Sequence, residues 1–301
     1  MGAISKRVFS RMSAGFLIAS ICVWPTMGAD NPAKIPDFSG VWSHPFLTGF
    51  EPPASGPGPV TNRSRRRDGA ANFQVLVGDY TNPILKPEAA QVVKEHGDIS
   101  LSGKGYPTPS NQCWPGGVPY VFWDFLVQMF QEPNQVTIIY RQGDEVRRVR
   151  MNQPHPAHPT PSWYGDSVGH YEGDTLVIDT IAIKKGPFAM LDMYGTPFTD
   201  KLHVVERYRL MDYETAKDAI ERNAKENTHA GGGWDFDPNY RGKVLQLHFT
   251  VEDEGVFTTP WTATITYRPS IDPWTELICA ENPREYNNTE SRIPKADKPD
   301  F

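Results

Sequence analysis

Two alternating runs of residues meet at a tight turn near the middle of the chain. That hairpin constrains the fold more than any other stretch. It spans Pro161 to Thr180, PSWYGDSVGHYEGDTLVIDT. Asp166 to Tyr171 leads in, Glu172-Gly173-Asp174-Thr175 turns, and Leu176 to Ile183 leads out. Gly173 and Asp174 accept the positive φ values that a short strand-to-strand turn demands. In the outgoing run Leu176, Ile178 and Thr180 point one way, and Thr175, Val177 and Asp179 the other.

The same rhythm recurs on both sides. Phe125 to Phe130, Gln135 to Arg141 and Glu145 to Met151 read as short strands with turns of four and three residues between them. Lys201 to Met211, Val244 to Val251, Thr258 to Arg268 and Thr275 to Ala280 read likewise. Asp37 to Trp42 begins the set, with Phe38 and Trp42 as core anchors. Helical patterns are confined to Asn82–His96, where Lys86-Pro87-Glu88 fits a first turn, and Asp212–Asn227, with Asp212 as the cap. The 28 prolines and 25 glycines fit a chain of many turns and little long helix.

Eight or more short, mostly adjacent strands predict a mainly β fold, an antiparallel up-and-down barrel with one or two short helices. A two-sheet sandwich is the alternative. The barrel is expected over residues 30–285, with mobile loops at 51–72 and 228–243 and a solvated tail at 286–301. A barrel of this strand number has room for one small ligand.

The first 29 residues have the layout of a secretory signal peptide. Lys6, Arg7 and Arg11 are followed by an apolar run from Ala14 to Trp24, then Pro25 and the small residues Gly28 and Ala29. The run is shorter than the ~20 residues of a membrane span. An exported, periplasmic or secreted protein is therefore expected. Removing these residues moves the net charge from −6 to −9. That balance argues against nucleic acid and anionic membrane as partners. The mature chain keeps two cysteines, Cys113 and Cys279, neither in a C-x-x-C pair. In an oxidising compartment two such cysteines are expected to bridge, worth up to ~5 kcal/mol in the chain-entropy model.

Several blocks resemble a family of exported bacterial proteins of uncharacterised function. They are D-F-S-G-x-W at Asp37 to Trp42, Cys113-Trp114-Pro115-Gly116-Gly117, an Arg-rich strand running into His-Pro at Arg148 to Pro156, the hairpin block, H-V-V-E-R-Y at His203 to Tyr208, Pro260-Trp261-Thr262, and C-x-E-N at Cys279 to Asn282. They cover most of the mature chain in order. Tyr171 stands where that family usually has Trp, and residues 214–243 are longer than its usual connection. The resemblance implies a lipocalin-like barrel in which Cys113 and Cys279 recur as a set. It implies no activity.

Candidate chemistry lies beside the hairpin. The run 203–209 alternates His203, Val205, Arg207 and Arg209 against Val204, Glu206, Tyr208 and Leu210. If the first face lines the lumen, His203 is a general base beside Arg207, which binds an oxyanion. If the second does, the arginines make surface ion pairs. His155 and His203 are the acid/base candidates, Glu206 and Tyr208 assist proton transfer, and Arg150 and Arg207 hold an oxyanion. Trp123, Trp163, Tyr194 and Trp261 are candidate walls for a flat apolar ligand, with core packing as the competing reading. His155, His158 and His170 lack the helical spacing of metal motifs, and no metal is expected. Ser167 matches G-x-S-x-G, but a hairpin follows it rather than a helix, which argues against a nucleophile. No phosphate loop, dinucleotide fingerprint, haem motif or iron–sulfur spacing occurs, so no cofactor is expected. Together these features predict a cofactor-independent lyase or isomerase acting on an aromatic or polycyclic compound. A non-catalytic carrier of a small hydrophobic ligand is the alternative.

Overall fold

The nine strands among the described residues close into a single barrel in chain order. Apart from Gly2, the computed structural model describes residues 35–45, 49–72, 74–226, 237, 239–274 and 277–279, without side chains for 223–226. The expected signal peptide, most of the 228–243 loop and the 286–301 tail lie outside these residues.

The strands are β1 (Gly40–Ser43), β2 (Leu126–Gln131), β3 (Gln135–Tyr140), β4 (Glu145–Met151), β5 (Asp166–Glu172), β6 (Thr175–Ile181), β7 (His203–Asp212), β8 (Lys243–Glu252) and β9 (Trp261–Pro269). β1 pairs with both β2 and β9, which closes the ring. Closure leaves no sheet edge to protect. The mainly β barrel expected from the strand rhythm is thus the observed architecture.

One pairing departs from the antiparallel scheme. β4 and β5 run parallel, Arg150 beside Val168 and Met151 beside Gly169. Residues 152–165 therefore leave the end of β4 and return toward its start before β5 begins. Gly165 makes the re-entry possible. Its φ is +67°, and a Cβ there would lie 2.5 Å from the Ile181 carbonyl oxygen. The β5–β6 turn falls where the sequence placed it, with Gly173 at φ +61°, whereas Asp174 does not take the positive φ expected of it.

The pleat sorts most strands into two faces, though on β6 Thr175 and Val177 are buried as well as Leu176 and Ile178. Ile178, Glu206, Phe249 and Ala263 occupy one register row across β6–β9, and all four are fully buried. Leu176, Tyr208, Leu247 and Ile265 form a second buried row. The rest of the core includes Phe38 and Trp42, as expected, with Phe122, Tyr140 and Tyr267.

Two helices pack outside. α1 spans Pro87–Leu101, five residues later than the sequence pattern suggested. The Asn82 side chain explains the delay. Its carboxamide oxygen accepts from the Ile84 amide and its nitrogen donates to the Gly58 and Pro59 carbonyls, so 82–85 becomes a turn. Lys86 is then held extended before Pro87. α2 spans Tyr213–Glu226 and lays Tyr213 and Ala216 against Val244. The 51–72 stretch has no strand but is cross-linked to 75–79 by Arg63 N–H to Val77 O and Asp79 N–H to Thr61 O. The strand expected at 275–280 is absent from its described residues 277–279. Cys113 and Cys279 form the disulfide, Cα atoms 5.4 Å apart, across 166 residues.

Candidate functional site

Strand β7 places its polar residues on opposite sides of the barrel wall. Val204, Glu206 and Tyr208 face the interior, whereas His203 and Arg207 face outward. Of the two facings that alternation left open for this run, the second is observed, so Glu206 and Tyr208 do not share a site with His203 and Arg207. The apolar neighbours Val204 and Tyr208 decide the orientation, and Glu206 enters the interior because it shares their face.

Inside, Glu206 is 0 % exposed and Arg147 on β4 is 1 % exposed. The two form a fork-to-fork ion pair, Nη1 to Oε2 at 2.9 Å and Nη2 to Oε1 at 2.6 Å. Arg147 also donates from Nε to Ser167 at 3.1 Å and from Nη2 to Thr180 at 2.7 Å. The Tyr208 hydroxyl donates to Glu206 at 3.0 Å. Burial opposes the charge on Arg147, but Glu206 beside it more than restores it, so its proton is held more tightly than usual. Burial also pushes the Tyr208 phenol well above its ordinary range. Each polar member has a partner, and the group reads as an internal brace. Ser167 belongs to it, far from any nucleophile elbow. Arg147 was not among the sequence candidates. Val149 and Met151, two and four residues on, mark its face as apolar, and an Arg on that face is the signal of a buried charge needing an acid.

Outside, six side chains form a line across β4–β8. Arg150 donates from Nη2 to both oxygens of Asp166 at 2.6 and 2.9 Å. His155, on the returning 152–165 link, sets Nδ1 2.7 Å from Asp166 Oδ1 and Nε2 3.0 Å from Asp179 Oδ1. His203 sets Nε2 3.1 Å from that same Asp179 oxygen and Nδ1 3.5 Å from Glu252. Hydrogen bonding to Asp179 is the main reason the His203 proton is held above the usual histidine range. Asp179 is held below the usual carboxylate range, first by its hydrogen bond with His203.

The far end of this line opens onto a cleft of about 540 Å³ lined by Lys201, His203, Glu252, Asp253, Phe257 and Pro260, among others. His203 thus belongs to both the charged line and the cleft. Of the sequence candidates, the fold brings His155, His203 and Arg150 together. It sends Arg207 to an exposed pair with Glu172 at 2.6 Å. Asp166, Asp179 and Glu252 complete the line and were not singled out as partners of the histidines. Alternation put Asp179 on the outward face, but the long 182–202 connection hides the register that sets it beside His203.

The aromatic candidates fall apart in the same way. Trp123, Tyr194 and Trp261 are buried in the core. Trp261 packs among Phe50, Phe249 and Phe257. Trp163 is half-buried elsewhere, beside Trp114, with the Lys184 ammonium 4.6 Å from its ring centre. His158 is exposed, and His170 sits 3.1 Å from Glu172. Among the described residues no group of three or more His, Cys, Asp or Glu is placed to hold a metal ion. No helix among them is long and apolar enough to cross a membrane. Comparison with protein-family models, with curated proteins and with solved structures returns no match for this chain.

Proposed function

We propose that the protein is an acid/base enzyme, a cofactor-independent lyase or isomerase, and that its reaction takes place in the His203 cleft on the outer wall. The observation that carries this reading is the double membership of His203, which is fixed by Asp179 and at the same time lines a cleft of about 540 Å³. A proton-transfer group needs both orientation and access.

Elimination and isomerisation each remove one proton and supply another. His203 and Glu252 stand side by side on the cleft wall and offer the two roles. The hydrogen bond to Asp179 holds the His203 proton above the usual histidine range, which suits His203 to the role of acid and leaves that of base to Glu252. Phe257 and Pro260 give the cleft an apolar wall for the aromatic part of a substrate. Asp179 and His155 position His203 and do not touch the substrate. We place the protein outside the cytoplasm, consistent with the signal-like leader and the Cys113–Cys279 disulfide, and with the barrel family that its sequence blocks resemble.

The test is turnover of a panel of small aromatic compounds by the purified chain. Conversion that His203→Ala abolishes and Arg207→Ala leaves in place supports the reading. Saturable quenching of tryptophan fluorescence without conversion of any compound would replace it with the carrier reading.

A further inference from the structure

The four contacts between the two histidines and their acids make a demand on protons. His155 faces Asp166 with Nδ1 and Asp179 with Nε2. His203 faces Asp179 with Nε2 and Glu252 with Nδ1. Each contact needs an N–H on the ring, because the carboxylates only accept. A neutral imidazole has one N–H, and the imidazolium has two. All four contacts are therefore satisfied only when both rings are protonated.

We propose that His155 and His203 compete through their protons for one atom, Oδ1 of Asp179, so that the 152–165 link sets the protonation of His203. When His155 gives its Nε2 proton to solvent, the ring keeps Nδ1–H on Asp166, its shorter contact. The Nε2 lone pair then faces the Asp179 oxygen at 3.0 Å, and the contact turns repulsive. Two things follow. The tie between the link and β6 is lost, and Asp179 is left to His203 alone. His203 also loses a neighbouring positive charge, so it holds its own proton more firmly. The two rings titrate as a pair with two macroscopic steps.

The groups facing the pair are known on each strand. Arg150 on β4 neutralises Asp166 on β5. Asp179 lies on β6, and Glu252 on β8. Lys201 and Glu254, at the other side of the cleft, pair with each other. Arg207, which shares the outward face with His203, is taken by Glu172. The array with both rings protonated is therefore charge-balanced, three cationic groups against three carboxylates. Each proton lost leaves one negative charge in excess. A proton-operated strap follows, tied down at low pH and released as pH rises.

This inference rests on the acid/base reading only for its consequence in catalysis. Its test needs no substrate. Ring-nitrogen NMR of the full chain follows each imidazole through a pH titration, and amide hydrogen exchange follows the 152–165 link. In His203→Ala the His155 midpoint is expected to rise by about half a unit or more, since His155 gives up its proton while His203 still carries its charge. In the unsubstituted chain the protection of 152–165 is expected to fall about tenfold across the first step, with β8 amides unchanged. A His155 midpoint unmoved by His203→Ala overturns the proposal. Should that variant lose β8 protection, Asp179→Asn takes its place, and both histidine midpoints are expected to fall. Unchanged midpoints there overturn it equally. Independent histidines in an active enzyme defeat this inference alone, and coupled histidines in an inactive protein defeat only the functional reading.

Discussion

On β7, Glu206 points into the barrel, and His203 and Arg207, on the other face of the pleat, point out. Both faces carry ion pairs, yet the pairs do different work. The inner one is dry and fully satisfied, with Arg147 spending its donors on Glu206, Ser167 and Thr180. The outer ones are half in water and keep freedom to exchange protons and partners. Burial is the variable that separates them. A desolvated charge stays only where its partner is fixed. An exposed charge is held loosely and remains available for chemistry.

The largest expected effect comes from breaking the inner pair. Glu206→Ala leaves the Arg147 guanidinium buried without its acid, and a cost of about 3–5 kcal/mol follows for such a site. The midpoint of chemical unfolding measures it. Arg147→Met together with Glu206→Leu removes both charges and is expected to recover most of that loss. A Glu206→Ala midpoint close to that of the unsubstituted chain would erase the contrast between the two faces. Tyr208→Phe sharpens it at lower amplitude. It deletes one hydroxyl that donates to Glu206 and is expected to cost about 1 kcal/mol.

The next effect depends on pH and belongs to the outer face. His203 has a folded pKa above its ordinary value, so its contribution is complete below that ordinary value and is lost as pH rises through the raised one. Asp179 has a depressed pKa, so its contribution is present above the ordinary carboxylate value and is lost as pH falls through the depressed one. Both contributions are therefore complete in the window between the ordinary carboxylate value and the ordinary histidine value, and fade outside it as pH passes the lowered Asp179 value or the raised His203 value. Unfolding midpoints recorded across pH are expected to decline on both sides of that window. His203→Ala is expected to flatten the alkaline decline. An alkaline slope identical in His203→Ala would assign the dependence to other groups.

How much of this was legible in the sequence follows from the range of each interaction. The hairpin at 166–181 was readable because its determinants are local: alternation plus Gly173 in the turn. The count and spacing of strands favoured a barrel but left a two-sheet sandwich as the alternative, because closure depends on the long-range pairing of β1 with β9. The parallel β4–β5 pair was hidden, because His155-Pro156-Ala157-His158-Pro159 reads as an extended link and does not say which way it turns back. The facing of 203–209 was open because Glu206 looks like a surface residue until Arg147 is placed opposite. Arg147 lies 59 residues away in sequence. The association of His155 with His203 passes through Asp179, 24 residues from each. It depends on the β6–β7 register, which the long 182–202 connection leaves free. Local periodicity thus gave the wall of the barrel, and long-range pairing decided what each side of the wall is for.

The smallest expected effect tests the same contrast from its weak end. Arg207 lies on the outward face with its guanidinium 2.6 Å from Glu172, a distance as short as the inner pair's. Distance alone would rank the two pairs as equals. Exposure separates them, since the Arg207 and Glu172 side chains are 44 % and 48 % exposed. Water and salt screen the attraction, and holding two long side chains in one geometry costs entropy. Arg207→Ala is therefore expected to leave the unfolding midpoint within experimental scatter, and added salt is expected to shift the variant and the unsubstituted chain alike. Glu172 keeps its second contact, to His170 at 3.1 Å, so the hairpin turn is not left with an isolated charge. A clear loss of stability in Arg207→Ala, vanishing in high salt, would mean that the outer wall carries energy as well as protons. The division of labour across β7 would then be one of degree.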